Sequence, residues 1–358
     1  MRKTWMLLLA GLSALTLAAA PLAPQIVKKN VKIVRRPITV SVIGEDLAWL
    51  PPGEKPTVEA MIEYWIGMMD REIANQPDLI VLPEICDVWR GISKEEKNAW
   101  LDLRGDSILK AFQAYAKKYH AYLVYPTYRA GSDGHRRNCS ILIDREGDVV
   151  AIYDKVYPTV RDLGNGVLPG VEPVIAETDF GRLGFAICFD LNFWDLLDKY
   201  AALRPDVIAF SSYYHGDFML KVWAYKCQAH VIASTIGRLE KDVVTPCGTD
   251  QRAERNYFRT FSEKVNTNCR VVHLDFNWDK LMAARSKYGR DFRIDTAGSV
   301  GAITLYSENP AIPIDDIVKE FEIETWDQYY ARSRAACAEA LRNTTAPAGK
   351  PAPATPKK

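Results

Sequence analysis

Three short apolar strands each end on a side chain with chemistry, and no other feature constrains this chain as tightly. Leu183-Gly-Phe-Ala-Ile-Cys188 ends on a thiol, with Asp190 close behind. Asp78-Leu-Ile-Val-Leu-Pro-Glu84 ends on a carboxylate, and Pro83 suits a strand end better than a central position. Val150-Ala-Ile-Tyr-Asp-Lys155 ends on an ammonium. Three strands that deliver a nucleophile, a base and a cation to one sheet edge suggest a shared site.

The rest of the chain is consistent with a layered α/β fold. Ile38 to Ile43 reads as a first strand, and Thr57 to Ile73 has apolar residues at helical spacing. Asp106 to Tyr119 reads as a helix, and Ala121 to Tyr125 as a strand. Asn138–Asp144 and Asp148–Tyr153 form a hairpin turned by Gly147. Val174–Ala176 pairs with Leu183–Cys188. Helices are expected at Leu191–Leu203 and Phe218–His230, and strands at Asp206–Ser211, Val231–Ser234 and Val271–Phe276. Ile314 to Leu341 reads as mainly helical, and the Pro, Ala and Lys composition from 343 to 358 as a disordered tail. Alternating strands and helices with inserted hairpins exclude all-α and all-β folds.

Length and charge set further bounds. At 358 residues the chain can bury a large core. A net charge of +1 gives no reason to expect nucleic acid or an anionic membrane as partner. The N-terminus has Arg2 and Lys3, an apolar run from Trp5, and small residues at Ala18 to Ala20. This is the anatomy of a secretory signal peptide over residues 1–20 and implies a periplasmic or secreted protein. Left uncleaved, the segment would anchor it. Beyond that signal no membrane association is expected. Export permits disulfides among the seven cysteines, up to three bridges with Cys188 left free, although buried free thiols fit the same count. No C-x-x-C pair occurs and the five histidines are scattered, so no metal site is expected.

A cysteine attacks mainly as thiolate, so an adjacent base must take its proton. Glu84 can do so and can later return the proton to a leaving amine. Lys155 can hold negative charge on a tetrahedral intermediate, together with the N–H of Phe189. Taken singly, Cys188 reads as a core thiol, Glu84 as a strand-end residue and Lys155 as a hairpin charge; their joint placement favours a site. Tyr213, Tyr214 and His215 follow the strand Asp206–Ser211 and would shape an acyl pocket or pack a loop. No histidine sits in a recognisable peptidase context.

These motifs, in this order, resemble the nitrilase, or carbon–nitrogen hydrolase, superfamily. The matching pieces are Asp78–Glu84, Asn138–Asp144 running through Gly147 to Ile152–Pro158, and Gly184–Asp190. The resemblance spans residues 37–280, followed by a C-terminal extension at 281–342. It implies a four-layer α-β-β-α sandwich, with Glu84 as general base, Lys155 as oxyanion stabiliser and Cys188 as nucleophile. It implies no cofactor. The substrate would be a small linear amide or N-carbamoyl compound, and the protein a homodimer or larger assembly. The sequence departs from the family's usual pattern in two places. Members carry a second glutamate between the lysine and the Pro-Gly, where this chain offers only Asp162, one methylene shorter. Phe189-Asp190 follows the cysteine as in the amidase and carbamoylase branches, and Asn192 stands where many relatives have arginine. An acyltransferase, or a non-catalytic binding protein on the same scaffold, would fit these residues too.

Overall fold

Along the strand Pro37–Ile43 the side chains of Ile38, Val40 and Val42 enter one buried cluster, while Ile43 enters another. A strand alternates its side chains between two faces, so a strand that sends apolar side chains into two clusters must lie between two cores. The computed structural model describes residues 24–254, 257–295 and 301–345; the expected signal segment and the tail from 346 lie outside them.

In chain order the elements are β1 (Gln25–Val27), β2 (Pro37–Ile43), α1 (Val58–Asp70), β3 (Leu79–Val81), α2 (Lys94–Arg104), α3 (Ser107–Tyr119), β4 (Tyr122–Ala130), β5 (Arg136–Ile143), β6 (Val149–Asp154) and α4 (Val160–Gly164). Then come β7 (Val174–Thr178), β8 (Gly181–Ile187), α5 (Trp194–Leu203), β9 (Val207–Ser212), α6 (Phe218–Cys227), β10 (His230–Thr235), β11 (Lys241–Val244), β12 (Asp250–Glu254) and β13 (Thr260–Asn266). A C-terminal unit holds β14 (Cys269–His273), α7 (Trp278–Tyr288), β15 (Phe292–Asp295), β16 (Ala302–Ser307), α8 (Ile314–Glu320) and α9 (Trp326–Thr345).

The strands make a six-stranded sheet ordered β13-β2-β3-β4-β5-β6 and a seven-stranded sheet ordered β1-β7-β8-β9-β10-β11-β12. Their inner faces meet in one cluster, with Val40, Val42, Leu79, Val81 and Val124 from the first sheet against Leu183, Phe185, Ile187, Val207 and Ile232 from the second. The outer face of the first sheet is covered by α1, α2 and α3 through Met61, Trp65, Trp100, Ile108 and Phe112. The outer face of the second is covered by α5 and α6 through Leu197, Tyr200, Leu220 and Trp223. The result is a four-layer α-β-β-α sandwich, as expected from the sequence.

Each sheet contains the same run. Three parallel strands, β2-β3-β4 in one and β8-β9-β10 in the other, are followed by two antiparallel ones. Parallel neighbours need a crossover, and helices on the outer faces supply it. Two buried serines tie the sheets together at one end: Ser211 donates to the carbonyl of Leu82 at 2.8 Å and Ser234 to that of Ile43 at 2.8 Å.

Several expectations are corrected. The capped helix α2 was not anticipated, although Ser93 and Glu96 form a reciprocal capping box at its start. Strands β1, β11, β12, β13, β15 and β16 are also absent from the sequence expectations; β12, for example, is Asp-Gln-Arg-Ala-Glu, without an apolar face. The sandwich closes with β13, so the expected domain limit at 280 falls inside α7. The expected helix over 314–341 is two helices, broken near Glu322 in the left-handed region at φ 49°. Residues 343–345, expected in the tail, continue α9. All seven cysteines are free thiols.

Candidate active site

The three strand ends converge. β3 stops before Pro83, and Glu84 follows it into the space between the sheets. Ile85, the next residue, is left-handed at φ 42°, unusual for a β-branched side chain. The hairpin β5–β6 sets Lys155 across from Asn138, whose carbonyl accepts from the Lys155 N–H at 2.8 Å. β8 runs into a short 3₁₀ turn over Cys188–Asn192, and Cys188 itself is left-handed at φ 46°. Non-glycine residues held there store strain of roughly 1–3 kcal/mol, which the surrounding structure must over-determine.

Asp190 does much of that holding. It is fully buried and accepts from the Ile187 N–H at 2.9 Å, the Tyr153 hydroxyl at 2.8 Å and the Tyr157 N–H at 2.9 Å. One carboxylate thereby pins the cysteine turn to the segment that carries Lys155. Burial pushes the Asp190 carboxyl up to about 6, against the opposing pull of Lys155 and these donors.

Glu84 is 4% exposed and Lys155 is 1% exposed. Their charged atoms are 2.8 Å apart. Glu84 Oε1 also accepts from Asn138 Nδ2 at 2.8 Å, and Oε2 from the Tyr213 N–H at 3.1 Å. Burial alone would lower the Lys155 pKa, but the charge and hydrogen bond of Glu84, with the charge of Asp190, help to raise it, so the ammonium persists. The Cys188 thiol is pushed up to about 11, first by burial and then by the Glu84 charge. Lys155, the Ser212 hydroxyl and the Tyr213 N–H pull the other way. At neutral pH the resting sulfur is therefore a thiol, and chemistry at it requires a base. Glu84 is the carboxylate placed to be one.

These groups share a cavity of about 620 Å³. Its wall includes Tyr128, Asn138, Tyr213 and Tyr214, and the loop and helix start at Ile92–Lys97. A larger depression of about 770 Å³ on the C-terminal unit runs between Phe276 and Arg332. It holds no thiol, and Arg332 there is already paired with Glu324 at 2.7 Å. Among the described residues no group of three or more His, Cys, Asp or Glu could hold a metal ion, and no helix is long and apolar enough to cross a membrane.

Of the expected site residues, Glu84, Lys155, Cys188, Tyr213 and Tyr214 line the cavity. Asp162 lines it too, but its carboxylate accepts from the N–H of Thr159 at 3.1 Å and the Thr159 hydroxyl at 2.7 Å, in a capping box that starts α4. Among the described residues the ion pair of Lys155 is with Glu84. The expectation that Asp162 orients Lys155 is therefore corrected: a shorter acid three residues after a threonine caps its own helix. Phe189 and His215 are not part of the wall. The Phe189 ring packs edge-on against Phe193, which stacks on Tyr157 at 3.6 Å. His215 lies exposed. The sequence reading did not single out Asn138 or Asp190 as site residues, although both lie inside the matching motifs.

The carbon–nitrogen hydrolase family model matches residues 47–246. A deaminated glutathione amidase from Rattus norvegicus is 29% identical over 114 residues, 27% of this chain and 35% of that protein. One from Synechocystis is 24% identical over 220 residues, 57% of this chain and 77% of that protein. The chain thus spans well under half the length of several curated relatives it matches. Among solved structures, an amidase from Nesterenkonia superposes with a TM-score of 0.57 at 15% identity, covering 67% of this chain and 94% of the amidase. A Saccharomyces cerevisiae member of branch 10 of the nitrilase superfamily gives a TM-score of 0.55 at 16% identity, covering 66% and 93%. These likenesses agree with the sandwich architecture, and the family match extends over more than half the chain: this protein belongs to the carbon–nitrogen hydrolase family.

Proposed function

We propose that this protein hydrolyses a non-peptide carbon–nitrogen bond, that of a linear amide or N-carbamoyl compound, through a cysteine acyl-enzyme. The observation that carries the reading is the 2.8 Å contact of Glu84 with Lys155 in the cavity that also holds Cys188 in its left-handed turn. Glu84 takes the Sγ proton as sulfur bonds to the carbonyl carbon. Charge moves to the carbonyl oxygen, where Lys155 and the Phe189 N–H at the start of the cysteine turn stabilise it. The tetrahedral species collapses, the C–N bond breaks, and the leaving nitrogen takes the proton from Glu84. Water then gives its proton to Glu84 and its oxygen to the thioester. The C–S bond breaks, the acid leaves, and the thiol is restored.

Lys155 is suited to this part because Glu84 stays beside it and keeps the ammonium protonated. Asn138 and the Tyr213 N–H fix both oxygens of Glu84, so the base meets the thiol from one direction. The amidase names of the relatives support the choice of bond. The signal-like N-terminus supports an exported enzyme, and pairing into homodimers or larger assemblies is part of the same proposal. Ammonia release from a panel of amides, N-carbamoyl compounds and nitriles tests it, with amine acceptors added to detect acyl transfer. Release from amides or carbamoyl compounds is expected. Acyl transfer in place of hydrolysis would point to the acyltransferase alternative. No release, with Cys188 no more reactive than a free cysteine, would indicate a binding protein.

A further inference from the structure

The strand beside the cysteine brings a hydroxyl to it. β8 and β9 run parallel, with Ile187 opposite Ser211. The next residue on each, Cys188 and Ser212, therefore stand side by side. Ser212 is fully buried and closes β9. Its other flank is fixed by β10: it pairs with Thr235, and its carbonyl accepts from the Ile236 N–H at 3.1 Å.

Two adjacent buried serines thus have different duties. Ser211 spends its hydroxyl on the Leu82 carbonyl at 2.8 Å. Ser212 Oγ accepts from the Tyr214 N–H at 2.9 Å. That bond uses the oxygen and leaves the hydroxyl proton for another acceptor. The Cys188 sulfur is within its hydrogen-bonding reach, as it is for the Tyr213 N–H. The Tyr213 N–H also donates to Glu84 Oε2 at 3.1 Å. The end of β9 therefore supplies donors to the nucleophile and to the base together.

The sulfur needs such donors. Burial and the Glu84 charge oppose negative charge on it, and the cation that favours it, Lys155, is already paired with Glu84. A hydrogen bond to an ionised acceptor is roughly twice as strong as one to a neutral group. A hydroxyl fixed beside the sulfur therefore helps most when charge develops there.

We propose that Ser212 is a further catalytic residue: its hydroxyl donates to the Cys188 sulfur and stabilises the negative charge that sulfur carries as it attacks and as it leaves the acyl group. In the first step the Sγ proton passes to Glu84 and the C–S bond forms. In the last the C–S bond breaks, its electron pair stays on sulfur, and Glu84 returns a proton to it. Ser212 keeps its own proton throughout. Its role in turnover rests on the hydrolase reading above; its bond to the sulfur does not.

The test reads the sulfur without a substrate. Alkylation of Cys188 by iodoacetamide at mildly alkaline pH is followed by peptide mass spectrometry in the wild type and in Ser212→Ala, Ser212→Val and Ser212→Thr, with the exposed Cys337 as internal control. Valine and threonine share a shape and differ in the hydroxyl. Its loss should leave about a tenth of the thiolate at a given pH. A more basic sulfur is also a better nucleophile, so the labelling rate should fall about threefold in the Ala and Val variants. The Thr variant should stay near the wild type, and Cys337 should label alike in all four. With any amide that the wild type cleaves, kcat should fall about tenfold in Ser212→Ala, with KM little changed. Wild-type labelling rates in the Ala and Val variants, or equal losses in Thr and Val, would overturn the inference. Labelling that follows the hydroxyl in a protein that cleaves no amide would count against the hydrolase reading and leave the bond to sulfur standing.

Discussion

Two buried carboxylate–cation pairs stand three residues apart in the chain, and they do different things. Glu84 pairs with Lys155 at 2.8 Å, and Asp87 pairs with the Arg104 guanidinium at 2.8 Å. All four side chains are buried. Asp87 also accepts from the Tyr125 hydroxyl at 2.6 Å and from the Thr127 hydroxyl at 2.9 and 3.0 Å. It is not on the wall of the Cys188 cavity, and the two thiols that feel its charge, Cys86 and Cys139, are fully buried, so it acts as a joint between α2 and β4. Glu84 also has three partners, but it opens on the cavity that holds the part-exposed Cys188. Asn138, its neighbour, keeps a buried Oδ1 without a hydrogen-bond partner. Burial and pairing alone do not make a site. Access and a part-exposed thiol in the same cavity distinguish the first pair from the second.

The largest effects should fall on the first pair and its thiol. Cys188→Ala should lower turnover of any cleaved amide at least about a thousandfold with little change in thermal stability. Glu84→Gln should cost about a hundredfold to ten-thousandfold in kcat, as loss of a general base does. Steady-state ammonia release alongside thermal unfolding checks both. If either variant kept full turnover, the distinction between the two pairs would be lost.

Arg104→Met tests the structural pair. It leaves the Asp87 charge buried without its cation and should destabilise the fold by about 3–5 kcal/mol, read as a lower urea midpoint. A loss under about 1 kcal/mol would show that Tyr125 and Thr127 suffice for Asp87.

Asp190 lies between these cases. Asp190→Asn replaces a three-donor acceptor with an amide that must turn a donor toward one of them, and should cost about 1–3 kcal/mol at neutral pH. Its folded carboxyl, at about 6, is above the ordinary value of 3.8, so the folded protein binds this proton more tightly than the unfolded chain does. The contribution to stability is full below about pH 4 and fades as pH rises through about 6. Urea titrations across that window should show the slope in the wild type and its loss in the variant. The smallest effect is expected for Asp162→Ala, about 1 kcal/mol from the lost helix cap, with turnover reduced less than tenfold. A hundredfold loss of turnover would restore Asp162 as a partner of Lys155.

The same contrast explains what could be read from the sequence. β3, β8 and β9 stand out as apolar runs because each is buried on both faces, and Glu84 and Cys188 could be placed because each closes such a run, whereas Lys155 follows the half-exposed hairpin strand β6. Asn138 was harder to assign a role, since its partner Glu84 is 54 positions away in the chain. Asp162 was misplaced because its family position weighed more than the local Thr159–Asp162 capping pattern. The cavity wall at Ser93–Lys97 was missed along with α2, whose start the Ser93–Glu96 spacing would have revealed. β13 pairs with β2 along seven residues, yet its mixture of buried and exposed side chains gives no clear apolar alternation.

The central claim is that Cys188 becomes covalently acylated during turnover. Wild-type protein is quenched in acid during steady-state cleavage of an active amide, digested, and analysed by mass spectrometry. The peptide containing Cys188 should carry the mass of the substrate's acyl group, and the adduct should be absent in Cys188→Ala. Continued ammonia release by Cys188→Ala, with no acyl adduct at Cys188 in the wild type, would contradict the account.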